Sequence, residues 1–440
     1  MNTPSPAPHA SPEDAARRFL TSIRHPTRLL VAISGGSDST GLLLALKRAI
    51  ADCGAPHSLV TATVDHALRA GSSDEAQAVA RLCASLDIPH RILTWHGEKP
   101  LSGISATARE ARYRLLADAA TALGATVIVT GHTADDQDET IAMRAARADE
   151  DSIGLSGMAS ATLYDRRIWL LRPFLKMRRE AIRDYLCNAG FGWIDDPSNV
   201  DRRYERVRIR QDQSSVSPLS AHEAAVRRRH LSESAADLIA SSATLHAGCL
   251  IALSPEALGA DPAILRHAVA TLVAIAGGKP HRPAGAAMDK LMRLVGSGLP
   301  GRMTLARALV QYRRDGLYIM REVRDVLPRP VPAHTTLLWD GRYRITNPTD
   351  KALQVAPRTD LHLSPEAHVL PPAMLSHMAR ISPQIRAEPK FAGVNRATPA
   401  HATVEPAFPL FDRFLAETDL PLADAVARLF GGKAYLPPPT

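Results

Sequence analysis

Residues 29–39 read Leu-Leu-Val-Ala-Ile-Ser-Gly-Gly-Ser-Asp-Ser, and the next seven, Thr-Gly-Leu-Leu-Leu-Ala-Leu, turn from β-branched and aliphatic texture to helix-forming texture. A short aliphatic run bounded by Ser and Gly predicts a buried strand, and the segment after it predicts a helix. The Ser/Gly stretch therefore falls on a strand-to-helix junction. There, small residues let the main chain approach an anion, and the free N–H groups of the first helical turn bind it. Neither GxxxxGK[ST] nor GxGxxG is present, which excludes a Walker loop and the dinucleotide fingerprint. Ser34, Gly35, Gly36, Ser37, Asp38 and Ser39 thus form a candidate phosphate cradle. The plainer alternative is a turn in which Ser37 or Asp38 merely caps the helix.

Outward from this loop the pattern repeats. Strands are expected over Leu29 to Ile33, Leu59 to Val64, Arg91 to Trp95, Thr126 to Thr130 and Ile168 to Leu171. Helices are expected over Ser39 to Ala51, Ser73 to Leu86, Ser105 to Leu123, from about Ala134, and from Arg178 to Ala189 before Gly190. Strands alternating with crossover-length helices predict an α/β fold, a doubly wound parallel sheet of Rossmann-like type. From residue 218 the sequence becomes Ala- and Arg-rich, and Asp261-Pro262 suits a helix cap and first turn. We expect a loose tail over 1–20, a catalytic domain over 21–217 and a mostly helical domain over 218–326. A proline-rich linker over 327–335 and a mixed, β-leaning region over 336–440 follow, with a strand pair between Met303 and Arg321 and a frayed end from Tyr435.

The chain has 440 residues, 45% hydrophobic and 22% charged, so it is long enough for several cores and is neither fibrous nor wholly disordered. No apolar run approaches the ~20 residues of a membrane span, and the N-terminus lacks an apolar signal core, so a cytoplasmic protein is expected. The formal charge of +8 favours polyanionic partners. Cys53, Cys83, Cys187 and Cys249 form no CxxC pair and read as buried small residues in a reducing compartment.

The segment Gly131-His132-Thr133-Ala134-Asp135-Asp136-Gln137-Asp138-Glu139-Thr140 follows the fourth strand. Spacings of four and three place His132, Asp136 and Glu139 on one face at the start of a helix, near the carboxyl ends of the sheet. Asp135 and Asp138 lie off that face and read as solvated acids favouring the helix dipole. Five arginines among the nine residues Arg202 to Arg210, with more at Arg227 to Arg229, suit phosphate contacts.

As a set, these segments resemble a known family. SGGSDS over 34–39 is similar to the pyrophosphate loop of the ATP pyrophosphatases. Val64-Asp65-His66-Ala67-Leu68-Arg69 with Glu75, the 131–140 segment, Gly154 to Met158, Arg172-Pro173-Phe174-Leu175, and Trp193 to Asn199 running on to Arg206 resemble the tRNA(Ile)-lysidine synthetases within that superfamily. The likeness covers about residues 28–210. One departure is Val207, where the family usually has asparagine after the arginine.

The resemblance implies an ATP-dependent ligase. It would join L-lysine to C2 of the wobble cytidine in the CAU anticodon of tRNA(Ile), through an adenylated tRNA, releasing pyrophosphate and AMP. Residues 34–39 would hold ATP, and Asp38 and Glu139 would position Mg²⁺, a hard cation suited to carboxylate and phosphate oxygen. Arg112 would meet the carboxylate of lysine, with Asp136 and Glu139 meeting its amines. His132 would serve as base, because a lysine amine with a pKa of about 10.4 must lose a proton before attack. Arg202, Arg203 and Arg206 would contact tRNA, and a homodimer is implied. Rivals are a tRNA thiolase, disfavoured by cysteines lying outside the motifs, an RNA-independent amide synthetase, and a non-catalytic tRNA-binding protein.

Overall fold

The aliphatic run at the start of the loop forms β1 (Arg28–Ala32), buried at every position after the first. Burial on both faces is what a central parallel strand covered by helices requires. The computed structural model of the chain describes residues 11–69, 71–100, 102–145, 156–194, 218–359, 370–387 and 402–440. Two compact units result: Met1–Arg227 with Leu436–Thr440, and Arg228–Tyr435.

In the first unit, α1 (Pro12–Ser22) precedes β1. Then come α2 (Ser37–Cys53), β2 (Ser58–Asp65), α3 (Ser72–Ser85), β3 (His90–Thr94), α4 (Ile104–Ala122), β4 (Val127–Thr130), α5 (Ala134–Ala145), β5 (Ala161–Tyr164), β6 (Ile168–Leu171) and α6 (Arg179–Asn188). The six strands of this unit run β5-β6-β4-β1-β2-β3. Strand β1 pairs in parallel with β2 (Leu30 opposite Val60) and with β4 (Leu30 opposite Ile128). Among the described strands of this unit, only β5 is antiparallel, to β6. The expected doubly wound sheet is present, with boundaries shifted by one or two residues. Its order turns at β1, between β2 and β4, and the carboxyl ends there form the crevice where such sheets hold ligands.

The expected loose tail gives way to structure from residue 11. Ser11 accepts a hydrogen bond from the Asp14 N–H, Pro12 opens α1, and Ala16 and Leu20 are buried. An amphipathic run with a cap and a first-turn proline is enough to order it. The expected frayed end also differs: the main-chain N–H of Arg24 donates to Pro439 O (3.1 Å).

Residues 218–326 hold helix α7 (Pro218–Ser242), which belongs to the second unit from Arg228 onward, and that unit's α8 (Pro262–Ala276) and α9 (Gly285–Gly296), with Asp261 capping α8 as expected. They also hold a five-stranded antiparallel sheet, β7 (Ala243–His246), β8 (Leu250–Leu253), β9 (Gly301–Leu305), β10 (Ala308–Arg313) and β11 (Gly316–Arg321), ordered β7-β8-β11-β10-β9. The expectation of a mostly helical region does not anticipate the strands at 243–246 and 250–253, because four-residue segments carry no period that separates strand from helix. The supposed linker contains β12 (Arg329–Val331), whose Pro330 is tolerated at the edge of a small sheet. Asp340, 2% exposed, accepts bonds from Arg307, Arg321 and Arg342. Near the end, the Tyr435 hydroxyl donates to Asp412 (2.7 Å).

Candidate active site

Three loops converge on the switch point: the one after β1, the one after β4, and the entry to α6. In the first, Gly35 adopts φ +86°, and a Cβ there would lie 2.8 Å from Ile194 Cδ1 and 2.9 Å from Val79 Cγ2. Only glycine meets both demands. Its carbonyl accepts the Ile194 N–H (2.9 Å), which seats the Trp193-Ile194 motif on the loop. Ser39 Oγ accepts the Ser34 N–H (3.2 Å) and donates to Gly36 O (3.1 Å), closing the turn internally. Gly36 caps α2 without a side-chain hydrogen bond, so the first-turn N–H groups are offered to an anion.

After β4, Gly131 lets the two loops touch. A Cβ on it would sit 2.8 Å from Asp38 O and 2.9 Å from Ser39 Cα. His132 precedes α5 rather than riding on it, so helical spacing does not place it. Its Nδ1 lies 2.8 Å from the buried Thr130 hydroxyl. Thr133 and Asp136 form a capping box: Asp136 Oδ2 accepts from Thr133 N (2.9 Å) and Thr133 Oγ1 (3.0 Å). Glu139 is buried one turn further along. Gln137 clasps the chain near the Gly157-Met158 motif, donating to Met158 O (2.9 Å) and accepting from Met158 N (2.6 Å).

The third loop supplies Arg179, which the sequence reading missed. Its Nε donates to Asp38 Oδ2 (2.8 Å) and its Nη2 to Asp136 Oδ1 (3.2 Å), so one guanidinium bridges the phosphate loop and α5. The three side chains are 19%, 18% and 16% exposed. Burial raises the Asp38 carboxyl above its ordinary value; Arg179 pulls the other way, and the Asp136 charge adds to the rise. Asp135 and Asp138 are not merely solvated. Asp135 accepts the main-chain N–H of Arg179 (2.8 Å) and so caps α6 from outside, and Asp138 pairs with Arg178 (2.6 Å). A signal was available: two arginines at a helix N-terminus oppose the dipole and require acidic partners.

Along the other edge, Asp65 ends β2 and accepts the Ala67 N–H (2.8 Å), turning the chain at His66. His66 stands edge-on to Trp95, with ring centroids 6.0 Å apart. Burial, reinforced by the Arg112 charge, lowers its pKa. Arg112 is half-buried on α4. Burial by itself would raise the neighbouring Tyr113 hydroxyl, but Arg109, Arg112 and Arg172 together hold it below its ordinary value. Arg109 is exposed and stacks on the Tyr113 ring at 5.0 Å. Arg69 and Glu75 form a bidentate pair at 2.7 and 2.6 Å. Two cysteines expected to be buried, Cys53 and Cys187, are exposed, while Cys83 and Cys249 are buried. Arg202, Arg203 and Arg206 lie outside the described residues, as do Gly154, Leu155 and Asp195 to Asn199. Among the described residues, no helix is long and apolar enough to cross a membrane.

The arrangement offers an anion cradle beside two cation-seeking carboxylates, a combination suited to a nucleoside triphosphate and a cationic second substrate. A family signature described as a PP-loop domain matches residues 11–215. The tRNA(Ile)-lysidine synthase of Rhizobium meliloti (strain 1021) is 42% identical over 446 residues, covering 98% of each chain. That of Mesorhizobium japonicum is 41% identical over 439 residues, covering 95% of each. Among solved structures, the U34-tRNA thiolase NcsA from Methanococcus maripaludis aligns with a TM-score of 0.41 and 13% identity, over 48% of this chain and 75% of that one. The loop, the α5 carboxylates and relatives matched over nearly their whole length lead to one conclusion: the chain belongs to the tRNA(Ile)-lysidine synthase family.

Proposed function

We propose that this chain joins L-lysine to C2 of the wobble cytidine in tRNA(Ile), with ATP as the activating substrate. The observation that carries the reading is the pair of half-buried carboxylates, Asp38 and Asp136, set beside the uncapped N-terminus of α2. A helix end with free N–H groups suits a triphosphate, and carboxylates withdrawn from water suit the cations that accompany it or follow it.

The chemistry needs two displacements. Cytosine O2 cannot leave as oxide, so it first attacks the α-phosphorus of ATP, and the bond to the β,γ-diphosphate breaks with loss of pyrophosphate. The lysine ε-amine then attacks C2, the C2–O2 bond breaks, and AMP leaves with that oxygen while the nitrogen gives up its proton. Residues 34–39 hold the phosphates in line. Arg112 meets the lysine carboxylate, Asp136 and Glu139 meet its amines, and His132 is the candidate base. Arg202, Arg203 and Arg206 serve the tRNA phosphates.

Mg²⁺ fits this donor set in a limited way. It favours hard oxygen and is commonly held by one or two carboxylates together with substrate phosphates. Among the described residues no group of three or more His, Cys, Asp or Glu side chains is placed to hold a metal ion. Asp38, with Glu139, would hold the ion against the triphosphate. When bound it would supply charge neutralisation of the departing pyrophosphate.

The test is incubation of the purified protein with radiolabelled lysine, ATP and transcribed tRNA(Ile) bearing CAU. Label should enter the tRNA with equimolar AMP and pyrophosphate. Pyrophosphate release without lysine incorporation, or incorporation without tRNA, would overturn the reading.

A further inference from the structure

Each bridged carboxylate has one oxygen committed locally and one committed to Arg179. Asp136 Oδ2 is held by the capping box with Thr133, and its Oδ1 faces the Arg179 Nη2. Asp38 Oδ1 accepts the Ser37 hydroxyl (3.0 Å), and its Oδ2 faces the Arg179 Nε. The oxygens that a substrate cation would need are the two that the guanidinium occupies. Arg179 is itself fastened, since its main-chain N–H is bound by Asp135 at the start of α6.

We propose that Arg179 is a positioning residue that couples the nucleotide subsite to the lysine subsite. Resting on the function proposed above, the inference adds a mechanism of order. Without nucleotide, Arg179 is the shared counter-ion of both carboxylates and competes with the lysine ammonium for Asp136 Oδ1. A triphosphate seated on residues 34–39 attracts the guanidinium and brings its own cation to Asp38, so the bridge opens and Asp136 Oδ1 is released to lysine. With both substrates bound each carboxylate again faces a cation, Asp38 that of the nucleotide and Asp136 the lysine ammonium, which avoids the cost of a half-buried charge without a partner. Because coupling between sites is reciprocal, lysine tightens nucleotide binding by the same factor.

The experiment titrates L-lysine into the full-length protein by calorimetry, without tRNA. One series has no nucleotide and the other has saturating α,β-methylene ATP with Mg²⁺. In the unsubstituted protein the nucleotide should tighten lysine binding by about tenfold or more, within the usual range of coupling between two sites. In Arg179→Gln, lysine should bind the nucleotide-free protein more tightly than it binds the unsubstituted one, and the ratio between series should fall to about two or less. Arg179→Lys, a single-headed cation that cannot span both oxygens, should show an intermediate ratio, and it keeps the test alive if the glutamine variant does not fold. A ratio near one in the unsubstituted protein, or an unchanged ratio in either variant, overturns the proposal. The two readings fail separately: unsubstituted protein that incorporates lysine into tRNA yet shows no coupling sinks only the role of Arg179.

Discussion

Gly131→Ala tests whether close approach of two main-chain segments builds the nucleotide site. The new methyl carbon would lie 2.8 Å from Asp38 O and 2.9 Å from both the Asp38 carbonyl carbon and Ser39 Cα. Comfortable contacts between such atoms begin near ~3.5 Å, so the first turn of α2 must retreat by roughly half an ångström or more. No rotamer relieves the clash, since every atom struck is backbone. Overpacking of this kind costs about 1–3 kcal/mol of stability. The functional loss should be greater, because the displaced turn carries Asp38 and the N–H groups proposed to face the phosphates. A ~1 Å misplacement can cost ~10²-fold in rate, so about tenfold or more is expected here. The assay is tRNA-dependent pyrophosphate release at limiting ATP, read as kcat/KM, beside thermal melting. Gly296→Ala is the control, since a Cβ there meets nothing within 4 Å. A Gly131→Ala protein with kcat/KM within about threefold of the unsubstituted value would refute the reasoning.

Arg112→Ala should raise the KM for lysine by the equivalent of roughly 2–5 kcal/mol, as expected when a buried carboxylate loses its partner. Lysine-independent pyrophosphate release should survive better in it than in Asp38→Ala, and the opposite order would move Arg112 to the nucleotide. Neutralising Arg202, Arg203 and Arg206 together should flatten the dependence of log K for tRNA on log salt by up to about 0.9 per lost phosphate contact, and an unchanged slope would place them away from RNA. In the second unit, burial, aided by Arg282, depresses the His267 pKa from 6.5 to about 3. The unfolded chain therefore takes up this proton first as pH falls. Stability is unaffected by the group above pH 6.5 and declines progressively toward pH 3, by up to about 5 kcal/mol for a shift of this size. His267→Gln should flatten denaturant midpoints over that range, and a profile matching the unsubstituted protein would show that another group governs the acid response.

Much of the first unit is legible in local sequence because its determinants are local. β1, β2 and β4 are short aliphatic runs, Gly54 and Gly190 follow helix ends, and the SGGSDS loop falls where a strand must become a helix. The second unit is less legible. Its strands at 243–246, 250–253 and 329–331 are only three or four residues long, too short to show the alternation that identifies a strand.

What the sequence by itself determined about this protein is the α/β class, the strand-to-helix loop at 34–39 and the acids of 131–140, each a property of a few neighbouring residues. Only the tertiary structure decided which charges meet. Asp38 and Arg179 are 141 positions apart, and Arg179 lies 43 positions beyond Asp136. No local pattern records that pairing, because an ion pair depends on distance in space, and that distance is set by the sheet order that brings the ends of β1 and β4 together. The same geometry turned Asp135 and Asp138 from solvated acids into the cap and counter-ion of α6. Charges withdrawn from water must find partners, and the fold determines which ones are within reach.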